Sequence, residues 1–98
     1  MQELTGQQRK HLRSLAHALQ PVCYVGKNGL SDPMVESVRL ALSDHELVKV
    51  KFNDHKDEKK ALAAQLEQLT DSNIVGLIGN IAILYRQQPD EEKRKISL

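Results

Sequence analysis

Ninety-eight residues with 40% apolar side chains support one domain with one core and leave no room for a second. A formal net charge of +1 excludes a uniformly basic surface, and Cys23, the single cysteine, excludes an intrachain disulfide. No stretch has the apolar length of a membrane span, and the first residues lack the basic-then-apolar layout of a signal peptide, so a cytoplasmic chain without a membrane partner is expected.

Thr5-x-x-Gln8 has the form of a capping box, and Leu12, Leu15, Ala16 and Leu19 then recur at helical spacing. Together they predict an amphipathic helix over residues 5–20 that stops before Pro21. Pro21 to Val25 reads as a short buried strand, with Cys23 as a small core hydrophobe. Gly26-Lys27-Asn28-Gly29 separates it from a second helix over Leu30 to Ser43, whose start is marked by Asp32-Pro33. The buried stripe of that helix is Met34, Val35, Val38, Ala41 and Leu42. Leu47 to Phe52 alternates as a half-buried strand, with Val48, Val50 and Phe52 on one face and Leu47, Lys49 and Lys51 on the other.

Ala61, Leu62, Leu66 and Leu69 predict a third helix over Asp57 to Thr70. Asn73 to Ile78 and Ile81 to Arg86 read as two strands joined by a Gly79-Asn80 hairpin turn. From Gln87 onward the periodicity is lost, which predicts a domain over residues 1–87 and a flexible charged tail over 88–98. The order α-β-α-β-α-β-β gives the fold class: one α/β (α+β) domain with a four-stranded mixed sheet and packed helices. Two crossovers are expected to make the sheet mainly parallel, closed by an antiparallel hairpin.

The loop from Gly26 to Gly29 carries the clearest chemical pattern. Two glycines three apart let backbone amides approach a bulky anion, Lys27 adds a mobile positive charge, and a helix amino end behind the loop would favour negative charge. A second G-x-x-G, Gly76-Leu77-Ile78-Gly79, has apolar middle residues and belongs to the hairpin instead. The basic groups are local: residues 1–31 hold Arg9, Lys10, Arg13 and Lys27 against Glu3 alone. On a helical projection Arg9, Lys10, Arg13 and His17 share one ~100° sector, away from the leucine stripe. Such a face also suits ordinary solvation, and Lys49 and Lys51 equally suit protection of an exposed sheet surface. Arg13→Glu is expected to spare folding.

Enzymatic chemistry finds little support. His11 and His17 are six apart and do not align on one helix face, and His45 and His55 have no partners that complete a zinc set. No nucleophile elbow, Walker sequence or dinucleotide fingerprint is present. No catalytic residue, metal, cofactor or small-molecule substrate is therefore expected, and the chain is expected to be a monomer.

Leu4-Thr5, Gln8-Arg9-Lys10, Leu12-Arg13, Ala16-His17, Pro21-Val22, the run Val25 to Leu30, the run His45 to Lys51 and Leu84-Tyr85-Arg86 together resemble the bacterial stand-alone CRM domain, the YhbY-like family, over about residues 3–87. The resemblance implies a fold similar to the C-terminal domain of translation initiation factor three, and a loop similar to that of KH domains. It implies binding to ribosomal RNA in precursors of the large ribosomal subunit. Carried onto this chain, it makes Gly26, Lys27, Asn28 and Gly29 the RNA-backbone loop, with Arg9, Lys10, Arg13 and His17 as flanking phosphate contacts and Lys49 and Lys51 as further candidates. With Tyr24, Phe52 and Tyr85 as the only aromatics, an extended base-stacking platform is not expected. The rival reading is a protein-interaction adaptor that docks a ribosomal protein through the mixed-charge segment Lys56 to Lys60, without touching RNA.

Overall fold

The computed structural model of the protein describes residues 3–98. Helix α1 (Gly6–Ala16) starts on the capping box the sequence spells: Thr5 Oγ1 accepts the Gln8 N–H and Gln8 Oε1 accepts the Thr5 N–H, each at 3.0 Å. It stops at Ala16, short of the expected residue 20. The Leu19 N–H turns back to the Ala16 carbonyl, and Lys49 Nζ takes the Leu19 carbonyl at 3.0 Å, so the chain leaves the helix early to reach the sheet edge before Pro21.

Strand β1 (Cys23–Val25) leads through the glycine loop to α2 (Asp32–His45), and β2 (Leu47–Phe52) follows. A short 3₁₀ turn (Lys56–Glu58) precedes α3 (Lys59–Thr70), and β3 (Asn73–Ile78) and β4 (Ile81–Tyr85) form the hairpin. Gly79 adopts φ +58° in its turn, as a tight two-residue connection requires. No described helix is long and apolar enough to cross a membrane.

The strand order is β1-β2-β4-β3. β1, β2 and β3 run the same way, as the two helical crossovers require, but β4 slots between β2 and β3. Only the β1–β2 ladder is therefore parallel, and both ladders of β4 are antiparallel. The sheet is mixed, and the expectation of mainly parallel pairing is corrected: the closing strand pairs with its hairpin partner on one side and with β2 on the other.

Helices cover both faces. On one face α2 and α3 bury Val35, Val38, Leu42, Ala63 and Leu66 against Val25, Val48, Val50, Phe52 and Leu84. On the other, α1 lays Leu12 and Ala16 on Leu47, Val75, Ile83 and Tyr85. This second layer explains two differences from the alternation pattern. Leu47, expected with the lysines on an open face, is buried under α1, whereas Leu15 and Leu19 stay 39% and 38% exposed because the helix turns its 12/16 side to the sheet. In α3 the buried side is Ala63, Leu66 and Thr70, and Leu69 faces outward.

Residues 88–98, expected as a flexible solvated tail, fold back on the domain. The Gln88, Lys95 and Ile96 N–H groups donate to the buried Glu46 carboxylate, and Ile96 packs against the α1-side core.

Candidate nucleic-acid interface

β1 delivers the glycine loop to one end of the sheet. The Gly29 N–H donates to the Gly26 carbonyl at 3.0 Å, closing a turn with Lys27 and Asn28 exposed at its tip. The fold makes different demands on the two glycines. Gly29 sits at φ +61°, where an L side chain is strained. Gly26 has no such φ, and a Cβ added there would meet nothing within 4 Å. Gly29→Ala should therefore lower stability by about 1 kcal/mol in a denaturant titration, and Gly26→Ala should leave the midpoint in place. Equal losses from both changes would mean that Gly26 is also a structural glycine.

The loop rests on the segment after β2. His55 Nε2 donates to the Lys27 carbonyl at 2.8 Å, and its Nδ1 lies 3.8 Å from Glu58 Oε1. The Lys27 carbonyl holds the His55 pKa above the ordinary histidine value; desolvation works against this, and Asp54 and Glu58 reinforce it. The bond to the loop is thus strongest below the unfolded histidine pKa and fades as pH rises through the folded one. The amino end of α2 is partly satisfied by its own chain. Ser31 Oγ caps the Met34 N–H at 3.4 Å, Asp32 puts a carboxylate in the first turn, and Pro33 has no N–H. At this corner Lys27 is the exposed cation of the loop, and the first turn of the helix adds the Asp32 carboxylate beside it.

The basic groups of α1 divide. Arg9 Nη1 donates to the Ile74 carbonyl at 2.6 Å and Arg13 Nη1 to the Val75 carbonyl at 2.9 Å. These carbonyls sit where the β3–β4 register slips between Ile74 and Gly76, and the arginines satisfy what the bulge leaves unpaired. Arg13 also lies over Gly76, where an added Cβ would come within 3.1 Å of its Cδ. Both arginines are therefore only partly exposed, and they lie over the β3 edge, three strand spacings or about 14 Å from the β1 edge that carries the loop. They do not flank it directly. Arg13→Glu, expected from sequence to spare folding while weakening RNA binding, should also cost about 1–2 kcal/mol in a thermal melt, because the Val75 carbonyl loses a charged donor.

Lys49 is likewise engaged, through Leu19. Lys10, His17, Lys27, Asn28 and Lys51 are exposed, and among the described residues their side chains have no hydrogen-bond partner. His17 caps the carboxyl end of α1, two residues before the carbonyl that Lys49 holds, so it lies toward the β2 side. Register supplies what sequence reasoning passed over. Tyr24 on β1 is opposite Lys51, Lys51 is opposite Ile81, and Ile81 is opposite Ile78, so one row crosses all four strands at the loop end of the sheet. This row is on the α1 side, beyond the part α1 covers, and Tyr24 and Ile78 are 51% and 62% exposed. The sequence reading takes Pro21 to Val25 as a buried strand, whereas in β1 only Cys23 and Val25 are buried and Tyr24 faces outward.

A family model described as the CRS1/YhbY (CRM) domain matches residues 4–86. A probable RNA-binding protein of Pseudomonas aeruginosa is 38% identical over 91 residues, spanning 92% of this chain and 88% of the relative. The probable RNA-binding protein YqeI of Bacillus subtilis is 38% identical over 96 residues, spanning 97% of this chain and 98% of the relative. Among solved structures, the solution structure of a hypothetical Staphylococcus aureus protein, described as an RNA-binding candidate, superposes with a TM-score of 0.80 at 34% identity. It covers 97% of this chain and 100% of its own.

Proposed function

The chain belongs to the CRS1/YhbY (CRM) domain family, and on that premise we propose that it is an RNA-binding module rather than an enzyme. It contacts structured ribosomal RNA of large-subunit precursors through the Gly26 to Gly29 loop. Gly26 carries the reading: no backbone strain and no neighbouring atom calls for a glycine there, so the open space beside it is available for an RNA backbone. Lys27 supplies the charge at the tip, and Lys10, His17 and Lys51 are the further phosphate-facing groups free to make contacts. Arg9 and Arg13 act first as ties that fix α1 on the sheet, and Lys49 holds the segment that follows it.

Phosphate contacts release counterions, so with three or four such cations the slope of log K against log salt should be roughly −2 to −4. Titration of the protein with ribosomal RNA and with tRNA at several salt concentrations reads this directly. Absence of binding at low salt would overturn the RNA reading in favour of protein docking through Lys56 to Lys60. Sedimentation of extract tests the ribosomal part separately: the protein should travel with large-subunit precursors, and confinement to the free pool would remove that assignment.

A further inference from the structure

The row at the loop end of the sheet combines groups that a phosphate-binding loop alone does not need. Tyr24 is the one exposed aromatic, since Phe52 and Tyr85 are both fully buried. It lies on the short edge strand, with its ring on the face that α1 leaves open and Lys51 directly opposite on β2. Ile81 and Ile78 continue the row as an apolar floor. Among the described residues the Tyr24 hydroxyl has one partner, the Pro21 carbonyl at 3.4 Å, and about half of the residue, 51%, stays open to solvent. Two residues of extended chain, about 7 Å, separate Tyr24 from Gly26, close to one nucleotide step along a single strand.

We infer that Tyr24, flanked by Lys51, is a stacking position for one unpaired nucleobase, so that the RNA recognised is a loop, bulge or single-stranded end whose adjoining phosphate lies on Gly26 to Gly29. This rests on the proposed RNA-binding role and names the class of RNA. In a continuous duplex the bases are stacked on one another and their faces are inaccessible to the ring, whereas an unpaired base can leave the stack and lie on it. Stacking on a single aromatic is sequence-tolerant, because every base offers a π face, and the neighbouring cation holds the phosphate of the same nucleotide. One such position differs from the extended platform that the aromatic count excludes.

The experiment compares two probes of equal length and composition, an RNA hairpin with an unpaired purine loop and a blunt RNA duplex. Tyr24→Ala should weaken hairpin binding about tenfold or more and leave duplex binding unchanged, and Tyr24→Phe should bind both as the parent does. The unaltered protein gives a second readout independent of any variant's folding. It has two tyrosines and no tryptophan, and Tyr85 is buried, so saturation with the hairpin should quench the tyrosine emission that Tyr24 supplies, and the duplex should not. Unquenched emission with bound hairpin, or equal hairpin affinity for Tyr24→Ala and parent, would overturn the stacking site while leaving RNA binding in place. Absence of binding to either probe at low salt would instead overturn the RNA-binding role and this inference with it.

Discussion

Changing Lys27 and Asn28 together to aspartate should weaken RNA binding at least tenfold, about 1.4 kcal/mol, without altering the melting temperature. Both side chains are exposed, and among the described residues neither has a partner, so the fold loses no contact. The turn is closed by backbone, from the Gly29 N–H to the Gly26 carbonyl, and both glycines are retained. The Lys27 carbonyl that holds His55 is also backbone and survives the change. What changes is the field: one positive charge is removed and two negative ones are placed at the tip. The salt slope should become shallower by about one, because one fewer counterion is released. A folded variant with unaltered affinity and slope would exclude the loop from the interface.

The local features of the fold were legible because they depend on near neighbours. The Thr5/Gln8 capping box, the α2 stripe, the β2 span and the Gly79 turn are each set by spacing within a few residues, and each was found where expected. The failures share a different cause. Whether Leu47 or Leu15 is buried depends on which part of the sheet α1 lies over, and whether Arg13 is free depends on a bulge in β3, far along the chain. A charged face on a helical projection cannot distinguish an arginine aimed at solvent from one folded down onto a strand carbonyl. The glycine loop was legible as a loop, but the different demands on its two glycines needed backbone angles, and the Tyr24 row needed the register. Glu46 stands in the His45 to Lys51 run that carries the family resemblance, but nothing local marks it as buried. It reads as one more polar residue between a helix and a strand, yet it is 1% exposed.

Glu46→Gln should have the largest effect on stability, about 2–4 kcal/mol, or a fall in Tm of roughly 10–20 °C for a domain of this size. Its Oε1 accepts the N–H groups of Lys95 at 2.6 Å and Ile96 at 3.1 Å, and its Oε2 accepts that of Gln88 at 3.0 Å. An amide keeps one oxygen but turns an NH₂ toward donors that need an acceptor, so at least one of these bonds becomes a donor facing a donor. The tail would then leave its groove and take Ile96 away from the core beneath α1, where Leu12, Ala16, Leu47 and Tyr85 also meet. The loop lies at the other end of the sheet and is tied by its own backbone, so RNA affinity below the new melting temperature should fall far less than in the Lys27 and Asn28 variant. Hydrogen exchange locates the effect: the Lys95 and Ile96 amides should lose protection first, ahead of the β2 and β4 strands. A variant that melts with the parent and keeps those two amides protected would mean that the tail is held by Ile96 and by Arg94, whose Nε donates to the Gln88 carbonyl at 2.7 Å, with the carboxylate contributing nothing beyond its own solvation.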